Sequence, residues 1–377
     1  MADLRKSRRC IRQVSYLANM SGRPVLIFVG GFLGAGKTTL ILRAARALAE
    51  RGKRVAVITN DQDRSLVDTR VAEAQKVAAR EVAGGCFCCR FSDLMEQAEG
   101  LREYEPDVIF AEPVGSCIDL SATILQPLKR FYEREYRLAP LTVLVDPAML
   151  ERAKRGEMDG DVEYLFGQQL AEADLICTTK RDLYPGARAA KVPVDFAVSG
   201  ATGEGVDEWL AEVLSGRRMA GARLLEVDYG RYAEAEAALA WLNLEAAIRL
   251  AIAKSPALVC GPLCDRLEEE LRGRGIFVAH LKIFDQCASG WLKVSLAGDG
   301  APRPEGDLLA EAAEEHQLAI NLRAIAEPEE MRELVLAALR EVGGSLEIRH
   351  ARAFRPAAPR PEHRFSATVA SGPVTSG

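Results

Sequence analysis

The sequence predicts an α/β protein, a doubly wound, mostly parallel sheet followed by a smaller C-terminal α+β domain. Three observations lead there. Short β-rich runs alternate with helical patterns from Val25 to about Arg218. Several of those runs are almost continuously apolar, as parallel strands covered on both faces must be. A glycine-rich segment stands directly after the first run and directly before a helical pattern. At 377 residues, two to three domains are expected.

The strands are expected at Val25–Val29, Arg54–Asn60, Val108–Ala111, Leu141–Asp146, Leu175–Thr179 and Val194–Ser199. Helices are expected between them at Thr38–Arg51, about Phe91–Tyr104, Leu120–Tyr136, Val162–Ala173 and Val206–Leu214. Gly216–Gly230 reads as a join, so the first domain spans 24–218 and the second 219–351. In the second, Leu239–Ile248 has the alanine content of a helix and the alternation of a strand. After it come a helix at about Pro262–Arg272, strands at Ile276–Phe284 and Trp291–Leu296, and a helix at about Leu308–Glu315. A strand at Ala319–Ala326 and a capped helix at Pro328–Val342 complete it, with helices expected on one face of the sheet. Residues 352–377, rich in Pro, Ala, Ser and Gly, are expected to be disordered.

Hydrophobic residues make up 48% and charged residues 27%, a globular balance. No run approaches the ~18 consecutive apolar residues of a membrane span, and no charged-then-apolar leader opens the chain, so a cytoplasmic protein without membrane partners is expected. The net charge is −5. Residues 1–23 carry Arg5, Lys6, Arg8, Arg9, Arg12 and Arg23 against Asp3, which leaves the remaining chain at −10. So acidic a body is no general nucleic-acid binder. The basic arm, 1–23, is expected to be disordered. Met20-Ser21-Gly22-Arg23-Pro24 reads as a start just before the first strand, which makes the arm a dispensable or untranslated extension.

Gly31-Phe32-Leu33-Gly34-Ala35-Gly36-Lys37-Thr38 matches G-x-x-x-x-G-K-[ST] in its strand–loop–helix context. Gly31, Gly34, Ala35 and Gly36 would turn backbone N–H groups onto phosphate, helped by the helix N-terminus. Lys37 would reach the β- and γ-phosphates, the Thr38 hydroxyl Mg²⁺, and Thr39 the α-phosphate. Asp61 and Glu112 end the second and third expected strands, where an open α/β sheet presents its ligand crevice. There they can hold Mg²⁺ or orient water, or serve only as helix caps. Lys37, Asp61 and Glu112 are thus the catalytic candidates. Gly115 can bring its N–H to the γ-phosphate. Thr179-Lys180-Arg181-Asp182 resembles the guanine-reading N-K-x-D, with Thr179 where Asn is usual. Asp182 would accept from guanine N1 and N2, Lys180 would lie along the base, and Ser199-Gly200 resembles the loop that reads O6. GTP is the expected nucleotide; an ATP-dependent small-molecule kinase is the alternative that Asp182 speaks against.

Of the nine cysteines, Cys86, Cys88 and Cys89 fall within four residues, after Gly84-Gly85. An odd count in a chain this long is no disulfide framework. Thiolates suit Zn²⁺ and Co²⁺, and three sulfurs leave an open position fit for handing an ion on. A redox pair or buried packing cysteines are the competing readings. Cys260 and Cys264, at helical i, i+4 spacing, read as buried helix cysteines with a second site as the alternative. Cys117 is a candidate auxiliary ligand.

Gly30–Thr39, Gly85-Cys86-Phe87-Cys88-Cys89 and Glu112-Pro113-Val114-Gly115 together resemble the CobW-like metallochaperone GTPases, relatives of the nickel-delivery GTPases of urease and hydrogenase maturation. The resemblance covers about 24–218 and extends over 230–345, where the family has a small C-terminal domain. It implies GTP binding, slow GTP hydrolysis and a divalent metal on Cys86, Cys88 and Cys89. It also implies delivery to a client metalloprotein or cofactor-synthesis enzyme, and allows a nucleotide-dependent homodimer. A regulatory or assembly GTPase with a purely structural ion is the alternative. Two features depart from CobW relatives. Thr59-Asn60-Asp61-Gln62 is closer to the nickel-delivery GTPases. The histidine-rich loop is absent, since the chain has only His280, His316, His350 and His363.

Overall fold

A computed structural model describes residues 22–61, 67–75, 77–184, 193–298 and 300–370. The basic arm up to residue 21, Cys10 and Gln62 lie outside the described residues. The chain divides into two units. One takes the residues up to Asn60, Val77–Asp228 and the stretch from Pro359. The other takes Asp61–Lys76 and Tyr229–Ala358.

The first unit begins with β1 (Val25–Gly31), α1 (Lys37–Ala49) and β2 (Val55–Asn60). The chain then enters the second unit, where Val67–Ala74 forms α2, and returns as β3 (Ala78–Val82). Next come α3 (Phe91–Gly100), β4 (Val108–Glu112), a π-helical turn at Ser121–Leu125, α4 (Gln126–Phe131), β5 (Arg137–Leu138) and β6 (Thr142–Val145). The unit continues with α5 (Pro147–Arg155), α6 (Gly160–Glu172), β7 (Leu175–Thr178), β8 (Phe196–Ala197) and α7 (Val206–Val213). The strands lie in the order β3-β2-β4-β1-β6-β7-β8, with β5 also against β1, and every pair is parallel. All seven residues of β1 are buried, as its central place between two layers of helices requires. The strand order reverses around β1, which puts the ligand crevice at its C-terminal end.

The second unit continues through α8 (Tyr229–Ala237), β9 (Ala240–Lys254), α9 (Pro256–Gly273), β10 (Val278–Cys287) and β11 (Gly290–Leu296). It closes with β12 (Arg303–Gly306), β13 (Ala313–Ala324), α10 (Pro328–Glu341) and β14 (Ser345–Phe354). Its sheet is antiparallel, ordered β12-β11-β10-β13-β9-β14. Leu242, Leu244, Ala246 and Ile248 pack into one core with Leu263, Leu267, Val335 and Leu339 of α9 and α10. That alternation settles the ambiguous Leu239–Ile248 stretch as strand, because the period-2 pattern continues on the β13 and β14 partners. Cys260 and Cys264 lie in the same core, and burial pushes both thiols up. They are packing cysteines. The opposite face of this sheet carries Asn243, Lys282, Asn321 and Arg323 beside Trp241 and Phe284, and α2 lies on it. Asp68 takes Lys282 at 2.7 Å, Arg70 pairs with Glu245, and the Val67 amide donates to Asn321 Oδ1 at 3.0 Å.

Two expectations are corrected. No helix forms at Leu308–Glu315. Ala310 N–H closes a turn on the Asp307 carbonyl and β13 starts at Ala313. Leu309, 96% exposed, has no face to bury, whereas β13 gains a long ladder to β9. The tail from 352 is not disordered over its described length. Residues 352–354 finish β14. Beyond them the Glu362 amide donates to Cys88 O at 2.9 Å, Phe365 N–H to Ala122 O at 3.0 Å, and the His363 ring meets Phe91 edge-on. Composition pointed to disorder, but His363, Arg364 and Phe365 each find a partner that composition cannot list.

α6 ends on Glu172, fully buried, whose Oε2 accepts from Ser121 N–H at 3.2 Å while its Oε1 has no hydrogen-bond partner. Burial raises its pKa from 4.5 to about 8. Between those values the folded chain holds a proton that the unfolded chain releases, so stability falls as pH rises through that window. Glu172→Gln is expected to raise stability at pH 8 by on the order of a few kcal/mol at most, and the melting temperature with it, and to lose this advantage near pH 4.5. Melting curves of both proteins across that range check it.

Candidate nucleotide and metal site

β1 ends in a loop that only glycine can make. Gly31 has φ +129°, and a Cβ there would lie 2.5 Å from the Leu144 carbonyl oxygen of β6. Gly34 and Gly36 also have positive φ, at 78° and 90°, and Ala35 N–H closes the loop on Phe32 O. α1 starts at Lys37, so its free N–H groups face the loop's hollow. Lys37 is buried and its Nζ donates to Gly31 O at 2.9 Å, which holds the ammonium across that hollow.

β4 delivers Glu112 to the same place. Its Oε1 accepts from Thr38 Oγ1 at 3.0 Å, both residues buried. This pair of oxygens is the hard donor set Mg²⁺ prefers. Gly115 follows, pressed so close that a Cβ would lie 2.7 Å from Leu33 Cδ2 and 3.0 Å from Lys37 Nζ. Asp61 belongs to the second unit, where Arg323 Nη2 donates to its carboxylate at 2.7 Å. Arg323 is itself 1% exposed, lies over the Trp241 ring and donates to Leu242 O, so it needs a buried carboxylate.

The residues expected to read the base stand together at the ends of β7 and β8. Ser199 Oγ donates to Asp182 Oδ1 at 2.6 Å and accepts from Thr202 N–H. Lys180, at φ +54°, pairs with Asp146 at the end of β6. Gly200 lies against α1, where a Cβ would be 3.0 Å from the Thr39 carbonyl carbon. Thr179 turns its hydroxyl to Val145 O at 3.3 Å, so this position is spent on the scaffold.

Cys86, Cys88 and Cys89 form a turn between β3 and α3, closed by Cys89 and Arg90 N–H on Cys86 O. Phe87 is fully buried and edge-on to Phe28 of β1, which pins the turn in the core and leaves the sulfurs at its rim. The three sulfurs stand 2.9, 3.2 and 3.8 Å apart. Tetrahedral Zn–S bonds of about 2.3 Å set sulfurs about 3.8 Å apart, so two edges need to open by under ~1 Å. The Cys86 sulfur is held well below the usual thiol range by hydrogen bonds from Cys117, then Cys88 and Cys89. Sharing that proton network pushes Cys88 up, and Cys89 to about 11. Such a cluster suits a site whose protons leave as metal enters.

Two residues of this site were not singled out from the sequence. Asn60, last of β2, donates through Nδ2 to Val82 O and Gly85 O and accepts Phe87 N–H at 2.8 Å, clamping the cysteine turn. Its position beside Asp61 at a strand end was the available signal. Gln169 of α6 donates to both Gly115 O and Cys117 O; a mid-helix glutamine carries no such signal.

The profile of the CobW/HypB/UreG nucleotide-binding domain matches residues 25–197. Over 177 residues the chain is 32% identical to the urease accessory protein UreG of Ureaplasma parvum serovar 3, covering 43% of this chain and 74% of that one. The chain belongs to the CobW/HypB/UreG family. This family member is also 30% identical over 208 residues to the zinc chaperone CobW of Pseudomonas aeruginosa, spanning 46% of this chain and about half, 53%, of that relative. Among solved structures, the Zn(II)-bound YjiA GTPase from E. coli aligns with 85% of this chain and 99% of its own, at 17% identity and a TM-score of 0.35. The CobW/HypB/UreG match spans β1 to β8, and so includes the phosphate loop, the cysteine turn, Glu112 and Asp182. No helix among the described residues is long and apolar enough to cross a membrane.

Proposed function

We propose that this chain is a GTP-binding and GTP-hydrolysing metallochaperone that takes a thiophilic divalent metal, Zn²⁺ or Co²⁺ foremost, on Cys86, Cys88 and Cys89. It hands the ion to a client metalloprotein or cofactor-synthesis enzyme. The observation that carries the reading is the gathering of the three sulfurs within 4.8 Å in the unit that forms the phosphate loop. Cys89 is only half-buried, which leaves the cluster a way out.

The phosphates would lie on the N–H groups of Gly34–Thr38, with Lys37 turning from Gly31 O onto the β- and γ-oxygens. Thr38 and Glu112 would hold Mg²⁺, which supplies neutralisation of the charge that develops on the transferring phosphoryl group. Gly115, against Lys37, would bring its N–H to the γ-phosphate. Asp61 would join only by giving up Arg323. Asp182 would accept from guanine N1 and N2. Its replacement by asparagine is expected to reduce the preference for GTP over ATP about tenfold or more, because a charge-assisted bond of ~1.5–3 kcal/mol is lost. Paired affinity measurements with both nucleotides check it, and an unaltered preference removes Asp182 from base reading.

The test of the function is a titration of the reduced protein with Zn²⁺ or Co²⁺ in the presence of GTP, GDP or neither. Delivery requires that metal affinity differ between the nucleotide states, and that nucleotide affinity shift by the same factor with metal. Equal metal affinity in all three conditions would establish a structural ion instead.

A further inference from the structure

The last described stretch of the chain, 359–370, belongs to the parallel unit and crosses the cysteine turn. It forms no helix or strand. Inward and outward positions alternate along it: Pro361, His363 and Phe365 are half-buried, while Arg360, Glu362, Arg364 and Ser366 are exposed. That is the pattern of an extended ribbon laid on a surface. Arg360 N–H donates to Cys89 Sγ at 3.1 Å, and Glu362 N–H to Cys88 O at 2.9 Å. Cys86 and Cys88 are 3% and 1% exposed. The cluster therefore faces outward at half-buried Cys89, the sulfur that the ribbon touches.

Further contacts pin the ribbon at intervals. Glu362 Oε2 accepts from Ser92 N–H at 3.1 Å and from the Ser92 hydroxyl at 2.6 Å, at the N-terminus of α3. Arg90, which precedes α3, gives it no side-chain cap. The tail thus supplies the carboxylate that the free N–H groups and dipole of that helix favour. The His363 ring stands 5.2 Å from Phe91 and 5.4 Å from Phe131. Arg364 Nε donates to Asp119 at 2.7 Å and its Nη2 to Leu225 O at 2.8 Å. Beyond it, Phe365 N–H reaches Ala122 O and Val369 N–H reaches Gln126 Oε1. A segment held by single polar bonds, with exposed side chains between them, opens far more readily than the core beneath it. The ribbon is specific in place and weakly held.

We propose that residues 359–369 are an autoinhibitory strap over the cysteine turn. Seated, the strap closes the cluster to metal exchange at Cys89; a client's ligand reaches the ion once the strap peels away. The inference rests on the metallochaperone reading and adds to it the step that controls access. Three sulfurs leave one position open on a four-coordinate ion. A client's ligand must approach that position from the outward side, where Arg360 lies against Cys89. Peeling the strap takes one amide from the Cys89 sulfur and breaks no bond within the turn. Cys89 and Arg90 N–H still close on Cys86 O, and Phe87 stays in the core. The sulfurs keep their places while the way to them opens. Exchange then runs through the open form, so whatever loosens the strap speeds uptake and release together.

The test uses the reduced full-length protein and its Glu362→Ala, Arg364→Ala and doubly substituted variants, with folding checked by circular dichroism. Glu362 is exposed, so its truncation keeps the test open if Arg364→Ala disturbs the buried Asp119. The first measurement is hydrogen exchange without metal. The Ser92, Glu362 and Phe365 amides should be protected in the wild type, yet exchange faster than those of β1, and should be close to unprotected in the double variant. Wild-type amides as slow as β1, or already unprotected, overturn the strap. The second is Co²⁺ uptake by stopped flow, followed by the sulfur-to-cobalt absorption, and Co²⁺ release to excess EDTA. Both rates should rise about fivefold in Glu362→Ala, which removes a helix cap. They should rise about tenfold or more in Arg364→Ala, which removes a bond between charged groups. Unchanged rates overturn the gate. Faster release with unchanged uptake also overturns it, since the strap would then only prop the sulfurs. A wild type without the sulfur-to-cobalt band is a different result, the failure of the metallochaperone reading itself, and hydrogen exchange still decides whether the strap seats.

Discussion

Replacing Cys86, Cys88 and Cys89 together with serine is expected to abolish high-affinity Zn²⁺ and Co²⁺ binding while leaving GTP binding in place. Serine matches cysteine in size, but its hydroxyl does not ionise near neutral pH as a metal-bound thiol does. The turn should survive, because Phe87 and the Asn60 clamp hold it through an aromatic contact and backbone groups rather than through sulfur. With the metal lost, every effect of metal on nucleotide affinity must vanish too. In the wild type that coupling should be about 1–3 kcal/mol, or roughly 5- to 150-fold. Calorimetric titration of both ligands, each in the presence of the other, measures it. Undiminished metal affinity in the triple variant would place the metal site elsewhere in the chain.

Lys37→Ala is expected to weaken GTP binding by at least about 100-fold, equivalent to ~2.7 kcal/mol. The ammonium is buried and donates to a carbonyl of its own loop, Gly31 O, at 2.9 Å. Phosphate offers it a full opposite charge in the same place. The loop's shape does not depend on the lysine: Gly31, Gly34 and Gly36 make the turn, and Leu144 fixes how close it comes to β6. The variant should therefore fold, with an unchanged circular dichroism spectrum, and fail to bind. A folded variant with unaltered GTP affinity would show that the loop holds no phosphate.

These two results test what was most legible in the residues. The phosphate loop was readable because its chemistry is local. Eight consecutive positions carry the glycines, the lysine and the hydroxyl, and the apolar run before them is a buried strand with no other way to satisfy its backbone. The cysteine turn was readable for the same reason. The parallel strands followed from continuous apolar runs, although Ala78–Val82, half-buried at the sheet edge and containing Arg80 and Glu81, has no such run and was not found. Leu239–Ile248 could not be resolved alone, since alanine fits either state and the choice rests with β13 and β14.

What the sequence by itself determined is therefore the set of groups that can act and where the parallel unit's main strands lie along the chain. What only the tertiary structure decided is which groups meet. Asp61 read as a partner of the phosphate site, but Arg323, 262 residues away, holds its carboxylate. Cys117 read only as a candidate auxiliary ligand, and it is the packing of the loop after β4 that brings it to Cys86. Residues 360–365 had the composition of a loose tail, yet they lie beside Cys88, Cys89 and Phe91. The reason is the same in each case. Periodicity and motif spacing report interactions between residues a few positions apart, whereas a buried charge or sulfur takes whatever partner the packing brings, at a distance along the chain that no local pattern records.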